Sequence, residues 1–225
     1  RIIRFDIPSW GLSGDVPENV AQTLKPSDIP ARLLAQLGVD KVDCVGVSSG
    51  GTMCLYLAAE HPELVNRLIL SNMPSDPVKT DHLVQPESFI KAQEDSNKRG
   101  YRDLFFWNEF LSYFAGDPAR ISEKTREEYY DFNRRTPDKH IITMVAQIGD
   151  GVKARVLMQQ VTHPTLLIWG ARDHLLPPIA AENLANYLPN APVSRVFMPD
   201  VGHYPPLESP DRFAGLIDAY VQQAT

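Results

Sequence analysis

The sequence predicts an α/β fold: a doubly wound, mostly parallel sheet interrupted by an inserted helical cap. Three observations carry this reading. Short runs of Val, Ile, Leu, Phe and Trp alternate with helical patterns along the 225 residues, as crossovers between parallel strands require. About ninety strand-poor residues separate the third run from the fourth, whereas a strand-to-helix connection usually takes about 2 to 6. The hydrophobic fraction is 43% against 22% charged, enough for one large core.

Taken in order, the predicted strands are residues 1–6, 41–45, 67–71, 165–169 and 194–198. Each is a short, nearly continuous apolar run, the pattern of a strand covered on both faces. Helices are predicted over 28–37, stopped by Gly38, and over 50–60, ahead of His61-Pro62. Two more cover 179–187 and 210–222, the last with Ser209 as cap and Pro210 at the first helical position. Residues 1–75 and 161–225 form the expected core, and 76–160 the helical cap or lid, broken at Gly100, Gly116-Asp117-Pro118, Thr136-Pro137 and Gly149-Asp150-Gly151. Residues 101–114 are apolar on too many faces for a surface helix. Their aromatic side chains either pack the cap or, at Phe105, Phe106, Trp107 and Phe110, line an apolar substrate pocket.

Charge and composition exclude several classes. The net charge is -6, with no basic patch to neutralise phosphates, so nucleic acid is not an expected partner. No run approaches 18 apolar residues, so no membrane span is expected. The chain starts at Arg1 with no visible signal peptide, and the expected location is the cytoplasm. Cys44 and Cys54 lie in apolar surroundings without a CxxC spacing. They read as small buried hydrophobes, not as a disulfide scaffold or a zinc site. There is no HExxH, no Walker loop and no GxGxxG after a strand, so no cofactor or metal is expected.

The chemistry is announced by Gly46-Val47-Ser48-Ser49-Gly50, set between a predicted strand and a predicted helix. GxSxG occurs by chance in a chain of this length with a probability of roughly 0.08, so the context decides. A serine on a sharp strand-to-helix turn needs neighbours without bulk two positions either side, and Gly46 and Gly50 meet that need. The helix N-terminus favours the negative charge that builds during attack on a carbonyl, and the Ser49 backbone N–H is half of an oxyanion hole. A serine nucleophile requires a histidine base and an orienting carboxylate. His203 follows the last strand, in a loop that can reach over the sheet edge, and Asp173 follows the fourth. Asp200 is too near His203 in sequence to rank beside Asp173. His174 reads as a bystander, His61 and His163 as structural, and His82 and His140 belong to the cap.

With these motifs the chain resembles the α/β-hydrolase fold family, in its capped serine esterase, lactonase and C–C bond hydrolase branch. Phe5-Asp6-Ile7-Pro8-Ser9-Trp10-Gly11-Leu12-Ser13 is similar to the family's turn after its fourth strand, with Ser9 where glycine is usual. Leu167-Ile168-Trp169-Gly170 through Asp173 and Pro177 resembles the acid loop. Gly202-His203 through Glu208, Pro210 and Phe213 resembles the histidine loop and its helix. The order serine, acid, histidine is also the family's.

The resemblance implies that Ser48, Asp173 and His203 cleave an ester or lactone bond of a small, largely apolar molecule through an acyl-enzyme. A serine at the elbow argues against epoxide or halide chemistry, which uses aspartate there. C–C cleavage, perhydrolysis and slow-turnover, receptor-like binding remain open on the same triad. The resemblance also implies three strands, a helix and an HG-type loop ahead of residue 1, on the order of 50 residues. That loop supplies the family's second oxyanion N–H, and nothing here matches it. The chain is therefore expected to be a fragment, a trimmed sequence or one part of a split enzyme, needing an N-terminal segment, covalent or tightly bound, without which it is insoluble or nearly inactive.

Overall fold

The computed structural model of the chain describes residues 1–135 and 138–223. The predicted break at Thr136-Pro137 lies outside the described residues. In chain order the elements are α1 (Glu18–Ala21), α2 (Asp28–Gln36), β1 (Val42–Val47), α3 (Ser49–Glu60) and β2 (Val65–Ser71). Next come α4 (Glu87–Arg99), α5 (Leu104–Phe114), α6 (Glu123–Asn133), α7 (Lys139–Ile148) and α8 (Gly151–Ala154). The chain closes with β3 (Thr165–Gly170), α9 (Ile179–Tyr187), β4 (Val193–Met198), α10 (Pro205–Glu208) and α11 (Pro210–Gln223).

Among the described residues the sheet has four strands, all parallel, in the order β1-β2-β3-β4. Alternation along the strands sorts their side chains onto two covered faces. Leu68 and Leu70 of β2 and Leu167 and Trp169 of β3 point to one face, where Leu55, Leu57 and Ala58 of α3 and Ala181 and Leu184 of α9 cover them. Ile69, Leu166, Ile168 and Met198 point to the other, against Phe213 of α11. Helices on both faces make the sheet doubly wound, as the apolar runs predict.

The expected strand over residues 1–6 is a correction: no strand forms there. A strand exists through its ladder, and β-prone side chains do not replace a neighbouring backbone. β1 is bonded to β2 alone among the described residues. Residues 1–6 instead run irregularly, with Ile3 resting on the main core. The turn that follows is strained. Ser9, standing where the family usually has glycine, has φ +66°. Its Oγ accepts a hydrogen bond from Val16 N–H at 2.9 Å, a partner that glycine lacks.

Between β2 and β3 the described chain is helical. Asp103 and Ser122 cap α5 and α6, accepting from the N–H groups of Phe106 and Thr125. Phe89 and Ala92 of α4 pack against Phe106, Trp107 and Tyr113 of α5 in a separate aromatic cluster. The last part of this stretch returns to the sheet, since Ala154 and Met158 are buried in the main core. Both ends of the helical stretch are tied to α9. Asp76 accepts hydrogen bonds from Arg155 (2.8 Å), Tyr187 (2.8 Å) and Asn183 (2.8 Å). No helix among the described residues is long and apolar enough to cross a membrane.

Candidate active site

β1 leads into α3 through Ser48, whose φ of +52° and ψ of -124° are unfavourable for a residue with a side chain. Strain of this kind costs on the order of 1–3 kcal/mol and persists only where the surroundings impose it. Here they do. Ser48 N–H donates to the Ser71 carbonyl at the end of β2 (2.9 Å), and its own carbonyl accepts from Gly51 N–H (2.9 Å). A Cβ on Gly46 would lie 2.4 Å from the Gly50 carbonyl oxygen and 2.5 Å from Gly51 N, so strand and helix meet at a point that only glycine fits.

The expected need for glycine at position 50 is not met by the geometry, because a Cβ there would meet nothing within 4 Å. The tight place on the helix side is Gly51, whose Cβ would sit 3.0 Å from that of Met73. Ser49 opens α3, where the first N–H groups have no partner inside the helix. Gly149, at the end of α7, lies close above it: a Cβ there would be 2.6 Å from Ser49 Oγ.

Asp173 and His203 come from the ends of β3 and β4 and meet directly. His203 Nδ1 and Asp173 Oδ2 are 2.7 Å apart, and each residue is only 2% exposed. The carboxylate can only accept, so Nδ1 carries the proton and Nε2 the lone pair. Asp173 is saturated: Oδ2 also accepts from Asn72 Nδ2 (2.7 Å), and Oδ1 accepts from Leu175 N–H (2.9 Å) and Leu176 N–H (3.0 Å).

Asn72 did not emerge from sequence reasoning. It follows β2 with φ +44°, fully buried, and its Oδ1 accepts from Gly170 N–H (3.1 Å) and Ser71 Oγ (3.0 Å). The available signal was its position, a polar residue at the carboxyl end of an apolar strand, the edge where open α/β sheets place their sites. Ser48 is joined to the acid and the histidine through the Ser71-Asn72 pair. Among the described residues it makes no direct hydrogen bond to His203.

The histidine loop is fixed from the helical side. His203 N–H donates to the Phe114 carbonyl at the end of α5 (2.9 Å). Buried Glu208 accepts from Gly202 N–H (2.8 Å), Gly116 N–H (2.9 Å) and Asp117 N–H (3.2 Å), joining that loop to the turn after α5. Burial pushes the Glu208 carboxyl up, and the three N–H groups oppose the shift without cancelling it.

Beside His203, the Tyr204 hydroxyl is hydrogen-bonded to that of Tyr129 from α6, and burial raises Tyr204 well above the usual phenol value. Asp200 is engaged elsewhere, with both oxygens 3.0 Å from Arg212. The other histidines are also occupied or set apart. His82, His140 and His163 meet backbone carbonyls of His174, Val16 and Pro62, and His61 faces Glu63. His174 stacks on Phe114 and meets the edge of Tyr113, and burial lowers its imidazole despite the Asp173 charge beside it.

The four aromatic pocket candidates separate. Phe106 and Trp107 are buried in the cluster with Phe89, and Phe105 is 45% exposed. Phe110 alone of the four faces the site, its ring 6.4 Å from that of Tyr204. Phe114, one helical turn on, lies nearer, with its ring 5.9 Å from His203. A cavity of about 410 Å³ opens beside Phe114, lined also by Thr80, Leu83, Gln85, Ile90, Tyr113 and Leu175, and by none of Ser48, Asp173 and His203.

Residues 23–210 match the family described as "alpha/beta hydrolase fold". The 2-hydroxymuconate semialdehyde hydrolase of Pseudomonas putida is 27% identical over 231 aligned positions, covering 100% of this chain and 78% of its own. The pimeloyl-[acyl-carrier protein] methyl ester esterase of Aromatoleum aromaticum is 32% identical over 207, covering 84% of this chain and 77% of its own. Among solved structures, a thermophilic esterase from Thermogutta terrifontis superimposes with a TM-score of 0.71 at 23% identity, over 97% of this chain and 78% of its own. A meta-cleavage product hydrolase from Pseudomonas fluorescens gives 0.68 at 19%, over 98% and 79%. At those identities the two structures share the fold.

Proposed function

The chain belongs to the alpha/beta hydrolase fold family and is an enzyme of hydrolase type, and from that premise we propose that it cleaves an ester or lactone bond through an acyl-enzyme at Ser48. The observation that carries the reading is the strained Ser48 at the head of α3, one strand away from the Asn72 that holds the Asp173–His203 pair. Ser48 Oγ attacks the substrate carbonyl and passes its proton to His203 Nε2. Asp173 keeps the ring oriented and balances the imidazolium, while the Ser49 N–H faces the oxyanion. His203 then protonates the leaving oxygen and, in the second half, draws a proton from the water that frees the acid. The Phe114 and Phe110 rings near His203 and Tyr204 give this side of the site an apolar wall, which agrees with a small, largely apolar substrate.

A second reading, C–C bond hydrolysis, is supported by the name of the Pseudomonas putida relative, which aligns over the whole chain. The same triad can serve it, with a carbon in place of the oxygen as leaving atom. Turnover decides between them. A p-nitrophenyl ester of a short acid and 2-hydroxymuconate semialdehyde are offered to the same preparation, and kcat/KM for the ester is expected to be the higher. A fluorophosphonate probe is expected to modify Ser48 and to leave Ser48→Ala unlabelled; labelling that survives the substitution removes the acyl-enzyme reading. One-shot labelling without steady turnover would point instead to a binding protein on the same fold.

A further inference from the structure

The two cysteines, which composition reads as inert buried hydrophobes, are placed against one another. Cys44 lies on β1, four residues before Ser48, and Cys54 lies on α3, six residues after it. Both are free thiols, and their Sγ atoms are 2.6 Å apart. At that separation the sulfurs, brought together from strand and helix, need move only about 0.5 Å closer to reach the S–S length of a bridge, about 2.05 Å. The pair is also unequal. Cys54 is buried, at 7% exposure, whereas Cys44 is half-buried.

From this juxtaposition we propose that Cys44 and Cys54 are a modification site, closed by a hydroperoxide into a disulfide that staples β1 to α3 across the turn bearing Ser48. The Cys44 thiolate attacks the terminal peroxide oxygen; the O–O bond breaks, and Cys44 becomes a sulfenic acid with release of water or an alcohol. The Cys54 sulfur then attacks the sulfenic sulfur, the S–O bond breaks, and the Cys54 proton leaves with the hydroxide as water. Two thiols are oxidised by two electrons and one peroxide is reduced, so no further reagent is required. The order follows from burial: the half-buried Cys44 meets the peroxide first. The hydrogen bond to Cys44, and then burial, raise the Cys54 thiol well above its ordinary value, so Cys54 serves as the resolving partner. The bridge closes a loop of about ten residues, and the gain comes from restricting the unfolded chain.

The test is made on the reduced full chain, treated with a small excess of hydrogen peroxide, quenched and alkylated. The expected product has lost the mass of two hydrogens, takes no alkyl group, and yields a peptide pair joining Cys44 to Cys54 in a non-reducing digest. Its Tm is expected to be higher by roughly 5 °C, and dithiothreitol restores the starting value. Cys44→Ser is expected to gain neither the linkage nor the rise in Tm. The proposal is overturned if both thiols still alkylate fully after peroxide, or if Cys44 ends as a sulfinic acid with Cys54 unlinked. The mass readout is independent of any catalytic assay.

Discussion

At Asp173 four donors converge on one buried carboxylate, and this convergence makes the residue scale testable. Asp173→Asn preserves the shape but gives Oδ2's place to a group that need not accept from His203 Nδ1. In the serine-protease triad the corresponding change costs about 10⁴-fold in kcat, and a loss of that order is expected here in steady-state hydrolysis of a p-nitrophenyl ester. Asn72 acts through Asp173, so Asn72→Ala is expected to lower kcat by up to about a hundredfold with KM little changed, the mark of a misplaced base. A rise in KM at constant kcat would assign Asn72 to substrate binding instead.

His174 supplies a pH prediction at the same scale. Its folded imidazole is held below the usual value by burial, whereas in the unfolded chain it takes a proton as pH falls through about 6.5. The unfolded state then binds more protons, so His174 contributes stability above that pH and loses it below. Thermal unfolding followed from about pH 7.5 down to 5.5 is expected to show a smaller fall in Tm for His174→Phe than for the parent chain. Equal slopes would contradict the assignment.

At the scale of elements, the elbow is one unit made from β1, Ser48 and α3, and its two glycines of the GxSxG pattern are not equivalent. Gly46→Ala forces a Cβ into the Gly50 carbonyl, so it is expected to cost about 1–3 kcal/mol in urea unfolding and to abolish esterase turnover. Gly50→Ala enters open space on a helix. It is expected to keep activity and to change stability by less than about 1 kcal/mol, in the favourable direction, since alanine favours the helix. The pattern in the sequence does not distinguish these positions, because both read as small. The difference arises from what lies against each position: the Gly50–Gly51 backbone against Gly46, and open space against Gly50. Element boundaries set by local chemistry were legible: the predicted helix over 179–187 is α9 itself, and that over 210–222 is one residue short of α11. Boundaries set by partners were not, as the missing strand over 1–6 demonstrates.

At the scale of the whole molecule, the three tryptophans report from three different places. Trp10 packs on α7 and α1, Trp107 in the aromatic cluster of the helical stretch, and Trp169 in the sheet core. Because Ala154 and Met158 belong to the sheet core and Asp76 ties the helical stretch to α9, the 76–160 segment is expected to unfold together with the sheet. Urea transitions followed by tryptophan fluorescence and by far-ultraviolet circular dichroism are expected to coincide. Two transitions, with Trp107 changing separately, would show a cap that is stable by itself.

The sequence by itself determined the α/β class, and it pointed to the elbow, Asp173 and His203 as candidates, because each of these depends on local order along the chain. Apolar runs define strands, turn chemistry defines loops, and loops after parallel strands converge on one edge. Tertiary structure alone decided what depends on residues far apart. It placed Asn72 on Asp173, Glu208 between the histidine loop and the turn after α5, and Cys44 against Cys54. It also turned Phe106 and Trp107 into their own cluster and left Phe114 beside His203. A hydrogen bond or a sulfur contact has no period in the sequence. It exists only once the chain has brought its two ends together in space.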